Sequence, residues 1–459
     1  MLKFLKKLFY ELLDLFYKLA EPKSGHFLEW SVFWLSFLGI LVSVYFFGGF
    51  FFHSPIIFGV IKMVMVFAPF FVPLILANIL FNYYMRYIRA AWIRKEGSVL
   101  LEIKIPKETN KSPLAMEIFF TSLYQTGSAT TKEAFSLGKV RPWFSFEIAS
   151  IDGEVRFFIW ALKKWRNLIE AQLYAQYPTI EIYEAEDYTK SIHHDPINFP
   201  MWGTYFTLEK EDVFPIKTYV DYGLDKLDTK EEFKIDPMTS VLEYLGSLKK
   251  GEQVWIQIIV QAHRKEKTID GRFLGLKGDW KEEIDEKIAE IKKEATSVRI
   301  NSDGEKIPGF PNYTPGQIET IKSLERSRDK FPFEAIIRGI YVCTKESFTP
   351  ISITGLVGSF RQYNSANSNG FKLGWYTDPD EPWRDLKRFR RNVMEEEMLE
   401  AYKMRSFFQY PFKNFEATPM ILMTEELATI FHFPGTVAGT PTLGRIPSKK
   451  SEPPTNLPR

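Results

Sequence analysis

Unbroken apolar runs dominate the first part of the chain. No Asp, Glu, Lys or Arg occurs in Ser31–Ile61, and a second uncharged run covers Met63–Met85. A helix needs about 20 apolar residues to cross a hydrocarbon core of about 30 Å, and each run is long enough. The pattern therefore predicts a transmembrane hairpin within residues 26–96, with spans at Leu28–Phe52 and Ile57–Phe81.

Basic residues flank the predicted hairpin on both sides. Five lysines precede the first span, whereas the second span is followed by Arg86, Arg89, Arg94 and Lys95. Because cytoplasmic flanks carry the excess of Lys and Arg, both ends of the chain are expected in the cytoplasm and the hairpin in the inner membrane. Residues 1–25 have an amphipathic pattern that predicts a helix lying on membrane lipid, with a partner helix as the alternative cover for its apolar stripe.

Beyond Gly97 the hydrophobic period changes to that of strands and amphipathic helices. Residues 97–200 predict strand, helix, strand, strand, helix and strand, with Asp152–Gly153 as the turn between the two middle strands. This is the element order of a ferredoxin-like βαββαβ unit. Residues 201–380 repeat the order, from "GTYFTLEKE" to "GFKLGWY", and predict a second such unit.

An insertion at residues 265–330 interrupts the middle hairpin of the second unit. Its sequence "WKEEIDEKIAEIKKEA" places Ile284, Ile288 and Ile291 on one face and therefore predicts a helix. The helix is either an arm that contacts a partner or a solvated helix packed through one narrow stripe. The expected fold class is α+β: a two-helix transmembrane hairpin, two ferredoxin-like units with a helical insertion, and a helical extension at residues 381–445.

Composition bears on function more than on fold. The chain has 459 residues, and its 59 basic and 57 acidic side chains give a net charge of +2, which argues against nucleic-acid binding by bulk charge. The one cysteine, Cys343, excludes an intramolecular disulfide framework and lies in an apolar run typical of a buried strand.

Catalytic and metal-binding motifs are not found in the sequence. It contains no phosphate loop, nucleophile elbow or zinc-protease motif. The stretch "HHD" at His193–Asp195 has no further ligand at a recognised spacing. The sequence therefore predicts no catalytic, cofactor-binding or metal-binding residue, and it favours a scaffold over an enzyme.

One charge pattern is suited to phosphate. The stretch Glu381–Phe412 is predicted as a single long helix, on which four basic residues at the spacing i, i+3, i+4, i+7 share one face: Arg384, Lys387, Arg388 and Arg391. Such a stripe fits the phosphates of nucleic acid or of lipid headgroups. Because the acids Glu395–Glu397 follow, a solvated face compensated by neighbouring charge is the alternative.

A short capped helix is predicted in "MTEELATIFHFPG", at Met423–Gly435. Thr424 is the expected N-cap, and the two following acids favour the positive end of the helix. The cap and the apolar face give a candidate docking element of four residues: Thr424, Leu427, Ile430 and Phe431. The face is predicted either to dock a partner or to pack on the chain's own second unit. A linker-like tail follows at residues 446–459.

Three stretches together resemble a known family: "GSFRQYNSANSNGFK", "EAYKMRSFFQYPF", and "MILMTEELATIFHFPG" with the tail "PSKKSEPPTNLP". They are similar to the N-terminal, non-catalytic part of membrane-anchored HerA/TraG-like ATPases of conjugation and type IV secretion systems. The resemblance covers the chain from the hairpin to the tail. In that family the capped helix and the lysine-proline linker lead into a P-loop motor domain, whereas this sequence stops at Arg459.

The resemblance implies a function without catalysis in this chain. The expected protein is a membrane-anchored, cytoplasm-facing scaffold of a conjugation or type IV secretion-like apparatus for DNA or protein transfer. It would couple to a P-loop ATPase that is encoded separately or missing, and a homo-oligomer is a further expected partner. The alternative is a membrane-tethered module that binds nucleic acid through the basic stripe.

Overall fold

The computed structural model describes residues 55–106, 111–126, 130–226, 235–263, 280–300, 306–378, 385, 388–435 and 445–446. These residues divide into two compact units. The described part of unit 1 comprises residues 55–95, 130–140 and 409–415. Unit 2 contains the other described residues, from Glu96 onwards.

The apolar run that begins after residue 54 forms one long helix, α1 (Pro55–Glu96). Among the described residues its stretch Val66–Glu96 is the one candidate membrane span by length and composition, and none of its apolar window is buried. The predicted span Ile57–Phe81 lies wholly within α1, and its residues from Val66 onwards belong to this stretch. The predicted span Leu28–Phe52 lies outside the described residues, so a two-pass hairpin is not shown.

The strands account for most of unit 2. In chain order they are β1 (Ser98–Pro106), β2 (Phe144–Ile151), β3 (Glu154–Leu162), β4 (Glu181–Glu184), β5 (Met201–Leu208), β6 (Glu252–Ala262), β7 (Thr296–Ile300), β8 (Lys306–Pro311), β9 (Pro332–Cys343), β10 (Phe371–Tyr376), β11 (Met420–Met423) and β12 (Arg445–Ile446).

Helices follow or separate these strands. After α1 the described helices are α2 (Leu114–Ser122), α3 (Thr131–Ser136), α4 (Arg166–Gln176), α5 (Pro237–Gly246), α6 (Trp280–Ala295), α7 (Pro315–Arg328), α8 (Pro350–Gly358), α9 (Phe389–Lys403) and α10 (Thr424–Ile430). Of these, α3 belongs to unit 1 and the others to unit 2.

One large sheet organises unit 2. Its strands lie in the order β10-β5-β9-β6-β2-β3-β1-β12, while β11 pairs with β9 and β4 with β1. All neighbours are antiparallel except β12, which runs parallel to β1. Within each half the strands keep a similar order, β4-β1-β3-β2 and β10-β5-β9-β6. The strands β7 and β8 form a separate antiparallel hairpin.

The predicted pair of separate ferredoxin-like units behind a two-helix hairpin is wrong. Strand β2 pairs with β6 along its whole length, from Phe144↔Val260 to Ile151↔Gln253, so nine antiparallel strands form one continuous sheet. The hydrophobic period places the main strands of each half, but it carries no information about which strands lie side by side. Strand β2 is almost completely buried and has a neighbour at both edges.

Successive residues of β2 serve opposite faces of the sheet, as the pleat requires. The ring of Phe146 packs against Phe120 of α2, with centroids 4.8 Å apart, and against Phe431 at 5.2 Å. Glu147, the next residue, contacts Arg405, which follows α9. The main hydrophobic core, to which α2, α4, α5, α8 and α10 contribute, therefore lies on one face, and a polar network lies on the other.

The described residues of the insertion pack on their own chain. Helix α6 buries Trp280, Ile284 and Ile288 in a cluster with Leu324 of α7 and with Met423. The amphipathic pattern predicts α6, and its narrow apolar stripe packs within unit 2. The hairpin β7–β8 and the helix α7 are not predicted by that pattern.

We expect the continuous sheet to unfold as one cooperative unit. The substitution Ile148→Ala removes a buried side chain from β2 and should lower the free energy of unfolding by about 2–5 kcal/mol. Hydrogen exchange read by mass spectrometry should then show β5 and β9, in the other half, losing protection by the same factor as β2. Ile351→Ala, at a side chain that is 73% exposed, is the control. Faster exchange restricted to β1–β4 would contradict a single unit.

Candidate functional site

The C-terminal segment, which we define as β11, α10 and residues 431–433, is the part of the chain that the sequence marks for docking. Strand β11 pairs antiparallel with the first residues of β9. Helix α10 follows at once, and the carboxylate of Glu426 accepts a hydrogen bond from the backbone N–H of Met423 at 2.8 Å. Thr424 is the first helical residue, so the predicted Thr424 cap is wrong, and Glu426 satisfies the N-terminal donor instead.

The apolar face of α10 is covered by the chain's own core. Leu427, Ile430 and Phe431 are at most 3% exposed, and Thr424 is 1% exposed. The ring of Phe431 lies 5.7 Å from that of Phe157 on β3, in addition to its contact with Phe146. The four candidate docking residues are therefore buried in this folded state, and Leu427, Ile430 and Phe431 belong to the main hydrophobic core.

A cluster of acids and bases lies at the start of α10. The Oε1 atom of Glu425 accepts from the hydroxyl of Thr218 at 2.6 Å and lies 2.9 Å from Nε of Arg326. Lys330 Nζ lies 2.6 Å from Oε1 of Glu117 on α2 and 3.8 Å from Oε2 of Glu425. Burial raises the pKa of Glu425, while Thr218 and the two bases act in the opposite direction. The cluster ties α10 to α2 and α7.

Glu426 is the most deeply buried acid of this segment. Its two oxygens accept from the backbone N–H groups of Met423 and of Ile216, the latter at 2.9 Å. Burial raises the pKa of Glu426 to about 8, more than the two backbone donors lower it. The carboxyl group thus holds the start of α10 and the loop around Ile216 together.

A histidine closes the segment. Nε2 of His432 lies 3.1 Å from the carboxylate of Asp236, and Nδ1 lies 2.9 Å from the carbonyl oxygen of Ala428. Asp236 also caps α5 by accepting from the N–H of Met238 at 2.8 Å. Burial lowers the pKa of His432, but the Asp236 carboxylate outweighs it and the net pKa is raised. The pair joins the end of the segment to the start of α5.

The opposite face of the sheet carries a second buried network. Arg405 approaches Glu147 with two donors, Nε at 2.9 Å and Nη2 at 3.1 Å, and its Nη1 contacts Asp187. The hydroxyl of Tyr188 donates to Glu147 at 2.9 Å. Burial lowers the pKa of Arg405, but the carboxylates of Glu147 and Asp187 raise it by more than burial lowers it. The net pKa therefore lies well above the ordinary value. Arg405 is therefore a fixed charge that fastens the end of α9 to β2.

A second arginine is buried beside it. Arg338 on β9 donates from Nη1 to the side-chain oxygen of Gln257 at 3.1 Å and to the carbonyl oxygen of Ala401 at 2.8 Å, and from Nη2 to that of Ser406 at 2.6 Å. Its guanidinium carbon lies 5.2 Å from the ring centre of Tyr205. Burial lowers the pKa of Arg338. With these donors engaged, Arg338 holds the chain after α9 on the sheet.

Two charged residues within mainly apolar runs of the sequence indicate these networks. Glu147 and Arg338 each stand within a run of otherwise apolar residues that forms a buried strand. A charge in such a run must be paired or hydrogen-bonded, because an isolated buried charge is very costly. The signal predicts that partners exist, but it does not identify Arg405 or Ala401 as those partners.

The predicted basic stripe does not form one helical face in the described residues. Helix α9 begins at Phe389, and Arg388 precedes it in a left-handed conformation with φ of 55°. Arg391 lies 2.8 Å from Glu395 and 3.0 Å from Asp378. Arg384 and Lys387 lie outside the described residues. Contact of the four basic residues with phosphate stays a prediction.

In the described part of the chain, no group of three or more His, Cys, Asp or Glu side chains is placed to hold a metal ion. Nε2 of His194 lies 3.5 Å from Glu395, and Cys343 is buried, which raises the pKa of its thiol.

Comparison with known proteins gives one result. A family model described as "Domain of unknown function (DUF8128)" matches residues 90–444, which is more than half of the chain. No curated protein matches the sequence. The matched region begins near the end of α1 and covers unit 2 almost completely, including the C-terminal segment.

We expect Phe431→Ala to destabilise the fold. Phe431 is fully buried among aromatic rings, and its truncation should lower the free energy of unfolding by about 3–5 kcal/mol. Urea denaturation followed by tryptophan fluorescence gives the measurement. Phe310→Ala is the matched control, because the side chain of Phe310 is 83% exposed. An unchanged midpoint for Phe431→Ala would mean that the residue contributes nothing to the core.

The pKa of Glu426 predicts a specific dependence of stability on pH. Between the ordinary value of 4.5 and about 8 the folded state binds the extra proton, so the free energy of unfolding should fall as pH rises, by about 1.4 kcal/mol per unit. Glu426→Gln removes the titrating group and should therefore make the free energy of unfolding less dependent on pH. Any effect of the substitution that is the same at every pH leaves this slope unchanged. His432 adds a fall of the same sign above pH 6.5.

The slope is measured by urea denaturation from pH 5 to pH 8. Glu290→Gln, at an exposed acid of α6, is the control and should leave the slope unchanged. An identical slope for Glu426→Gln and the unsubstituted protein would refute a buried proton at Glu426.

Proposed function

We propose that this chain, which belongs to the DUF8128 family of domains of unknown function, is a membrane-anchored scaffold on the cytoplasmic side of a translocation apparatus. The apparatus is of the conjugation or type IV secretion kind, and the scaffold couples to a P-loop ATPase. The anchor is α1, which exposes its apolar window. The proposal assigns no catalytic step to the chain.

The path of the chain through unit 2 carries the proposal. Strand β1 begins two residues after α1 ends. Strand β12 pairs in parallel with the last two residues of β1, Ile105 with Arg445 and Pro106 with Ile446. The chain thus enters the sheet at one end of β1 and leaves it at the other end. The nine residues of β1 span eight rises of about 3.3 Å each, so its two ends are about 26 Å apart.

This path suits a spacer between a membrane and a partner. The residue that follows the helical anchor and the residue that precedes the tail lie at opposite ends of one strand. The strand is held on its long edges by β3, β4 and β12, so the distance between the two points is fixed by hydrogen bonds. A rigid separation of this kind positions a coupling segment away from the anchoring point.

The coupling segment is the sequence after Ile446. The apolar face of α10 is buried and therefore supports the fold. We assign the contact with the ATPase to the tail beyond β12. It carries Lys449 and Lys450 between prolines. We include no docking role for α10 in the proposal.

A comparison of two chains tests the proposal. Affinity purification from native membranes is carried out with the full chain and with a chain that ends at Ile446, which keeps β12. Mass spectrometry should find a P-loop ATPase with the full chain and at least tenfold less of it with the shortened chain, because the contact is made by the tail. A third chain replaces residues 447–459 by a Gly-Ser segment of equal length and controls for length alone.

Retention in the membrane after carbonate washing is measured on the same samples. All three chains should be retained equally, since α1 is unchanged. Equal recovery of an ATPase with all three chains would contradict a coupling role for the tail. Loss of the full chain from the membrane fraction would contradict the anchor.

A further inference from the structure

Two segments far from α1 in sequence contact α1 at one level. We name this assembly the collar: residues 81–89 of α1, residues 130–140 and residues 409–415, all within unit 1. Residue Gly138 approaches so closely that a side-chain carbon there would lie 2.4 Å from the backbone of Ile88. Its φ of +69° also favours glycine. Close approach of a loop backbone to a helix backbone fixes the position of the loop along that helix.

Side chains secure the same level. The ring of Phe135 on α3 lies 5.7 Å from that of Phe81. The Nη2 atom of Arg86 donates to the hydroxyl of Tyr410 at 3.1 Å, and its guanidinium carbon lies 3.9 Å from the centre of the Tyr410 ring. Met85, between these contacts, is buried. The other two segments of the collar therefore contact about two turns of α1, from Phe81 to Ile88.

This level coincides with the expected boundary of a bilayer. The apolar side chains that precede it are largely exposed, with Phe70 and Leu80 each 70% exposed. A span of about 20 residues that ends at Leu80 would fill a hydrocarbon core of about 30 Å. Tyr83, Tyr84 and Tyr87 follow and are also exposed. Tyrosine is enriched at the membrane–water interface, because its ring is apolar and its hydroxyl is polar.

The charge of the collar matches the same boundary. The collar has one acid, Glu133, and five basic residues: Arg86, Arg89, Lys132, Lys139 and Lys413. This ratio differs sharply from the near balance of the whole chain. Lys139 pairs with Glu133 at 3.3 Å, and Lys132 is exposed. Leu137 is an apolar side chain with 58% of its surface exposed, one residue before the glycine that touches α1.

We propose that the collar is a lipid-binding surface that lies in the headgroup layer of the membrane and binds anionic phospholipid. Leu137 enters the boundary of the acyl chains, and Lys132 meets the phosphates. The collar thereby sets the depth of α1 in the bilayer. This inference rests on the proposed membrane anchor and adds the chemistry of the lipid and the residues that contact it.

Depth-dependent fluorescence quenching tests the proposal. Full-length protein is reconstituted in vesicles of phosphatidylcholine, with or without phosphatidylglycerol, after Leu137→Cys, Leu74→Cys or Ile351→Cys and labelling with an environment-sensitive dye. All three side chains are exposed, so the label should be tolerated. The unsubstituted chain is the labelling blank, because Cys343 is its one cysteine and is buried. Lipids that carry a spin label at the headgroup or deep in the acyl chain are the quenchers.

We expect three distinct results from the three positions. A label at position 137 should be quenched by the headgroup spin label, and a label at position 74 by the deep spin label. A label at position 351, in unit 2, should be quenched by neither. Quenching at position 74 without quenching at position 137 would overturn the collar and leave the anchor standing. No quenching at either position would overturn both, and quenching at position 351 would show that lipid contact is not specific to the collar.

A charge reversal tests the choice of lipid. Phosphatidylglycerol should strengthen headgroup quenching at position 137. Lys132→Glu should weaken that lipid-dependent contact at least about fivefold, since the loss of one basic residue near an anionic membrane alone costs about 1 kcal/mol and the new acid is repelled in addition. Lys345→Glu, at an exposed lysine of unit 2, is the matched control and should change nothing. Quenching that is insensitive to phosphatidylglycerol and to Lys132→Glu would overturn the binding of anionic lipid.

Discussion

The pairing of β2 with β6 is the interaction on which the rest of unit 2 depends. It joins two halves of similar strand order into one sheet, so the strands at which the halves meet, β2 and β6, are not edge strands. Each hydrogen-bonded strand of the junction is buried on both faces, with an apolar helical layer on one side and a polar network on the other. Because the junction needs both layers at once, segments that are distant in sequence must come together over it. The C-terminal segment supplies one layer, and the residues after α9 supply the other.

The polar network explains how the second layer is held without an apolar core of its own. A buried arginine that is paired and hydrogen-bonded fixes geometry more than it adds stability, because the cost of removing its charge from water offsets most of the attraction. Arg405 is paired with Glu147 and Asp187, whereas Arg338 is hydrogen-bonded to the neutral oxygens of Gln257, Ala401 and Ser406. They therefore determine where the chain after α9 lies. The same reasoning applies to Glu425 and Lys330 near α10, on the other face.

The local sequence pattern predicted individual helices and strands better than it predicted how they pack together. The apolar run of α1, the main strands of the sheet and the amphipathic helix α6 are all readable from the period of hydrophobic residues. The pairing of β2 with β6, which joins the two halves, cannot be predicted in this way. The local sequences "WFSFEIAS" and "EQVWIQIIVQAH" predict strands but do not determine which strands lie beside them. The predicted helical spacing fails at Arg388, which precedes α9 with a φ of 55°, whereas Arg391 lies within the helix.

The candidate site shows the same division. The position and the length of α10 follow from the sequence, and so does its apolar face. Whether that face meets a partner or the chain itself depends on Phe146 and Phe157, which lie hundreds of residues earlier. Periodicity is identical in the two cases, so only tertiary structure distinguishes them. The collar depends in the same way on the approach of Gly138 to Ile88, which no local pattern encodes.

The late position of the C-terminal segment has a consequence for the order of events during synthesis. At about 5 to 20 residues per second, a ribosome needs tens of seconds to proceed from β1 to Phe433. During that interval the apolar faces of β2, β3 and β6 have emerged without Phe431 and Phe433 to cover them. Chaperones that act on nascent chains would therefore find their longest period of access in this chain before its last segment is translated.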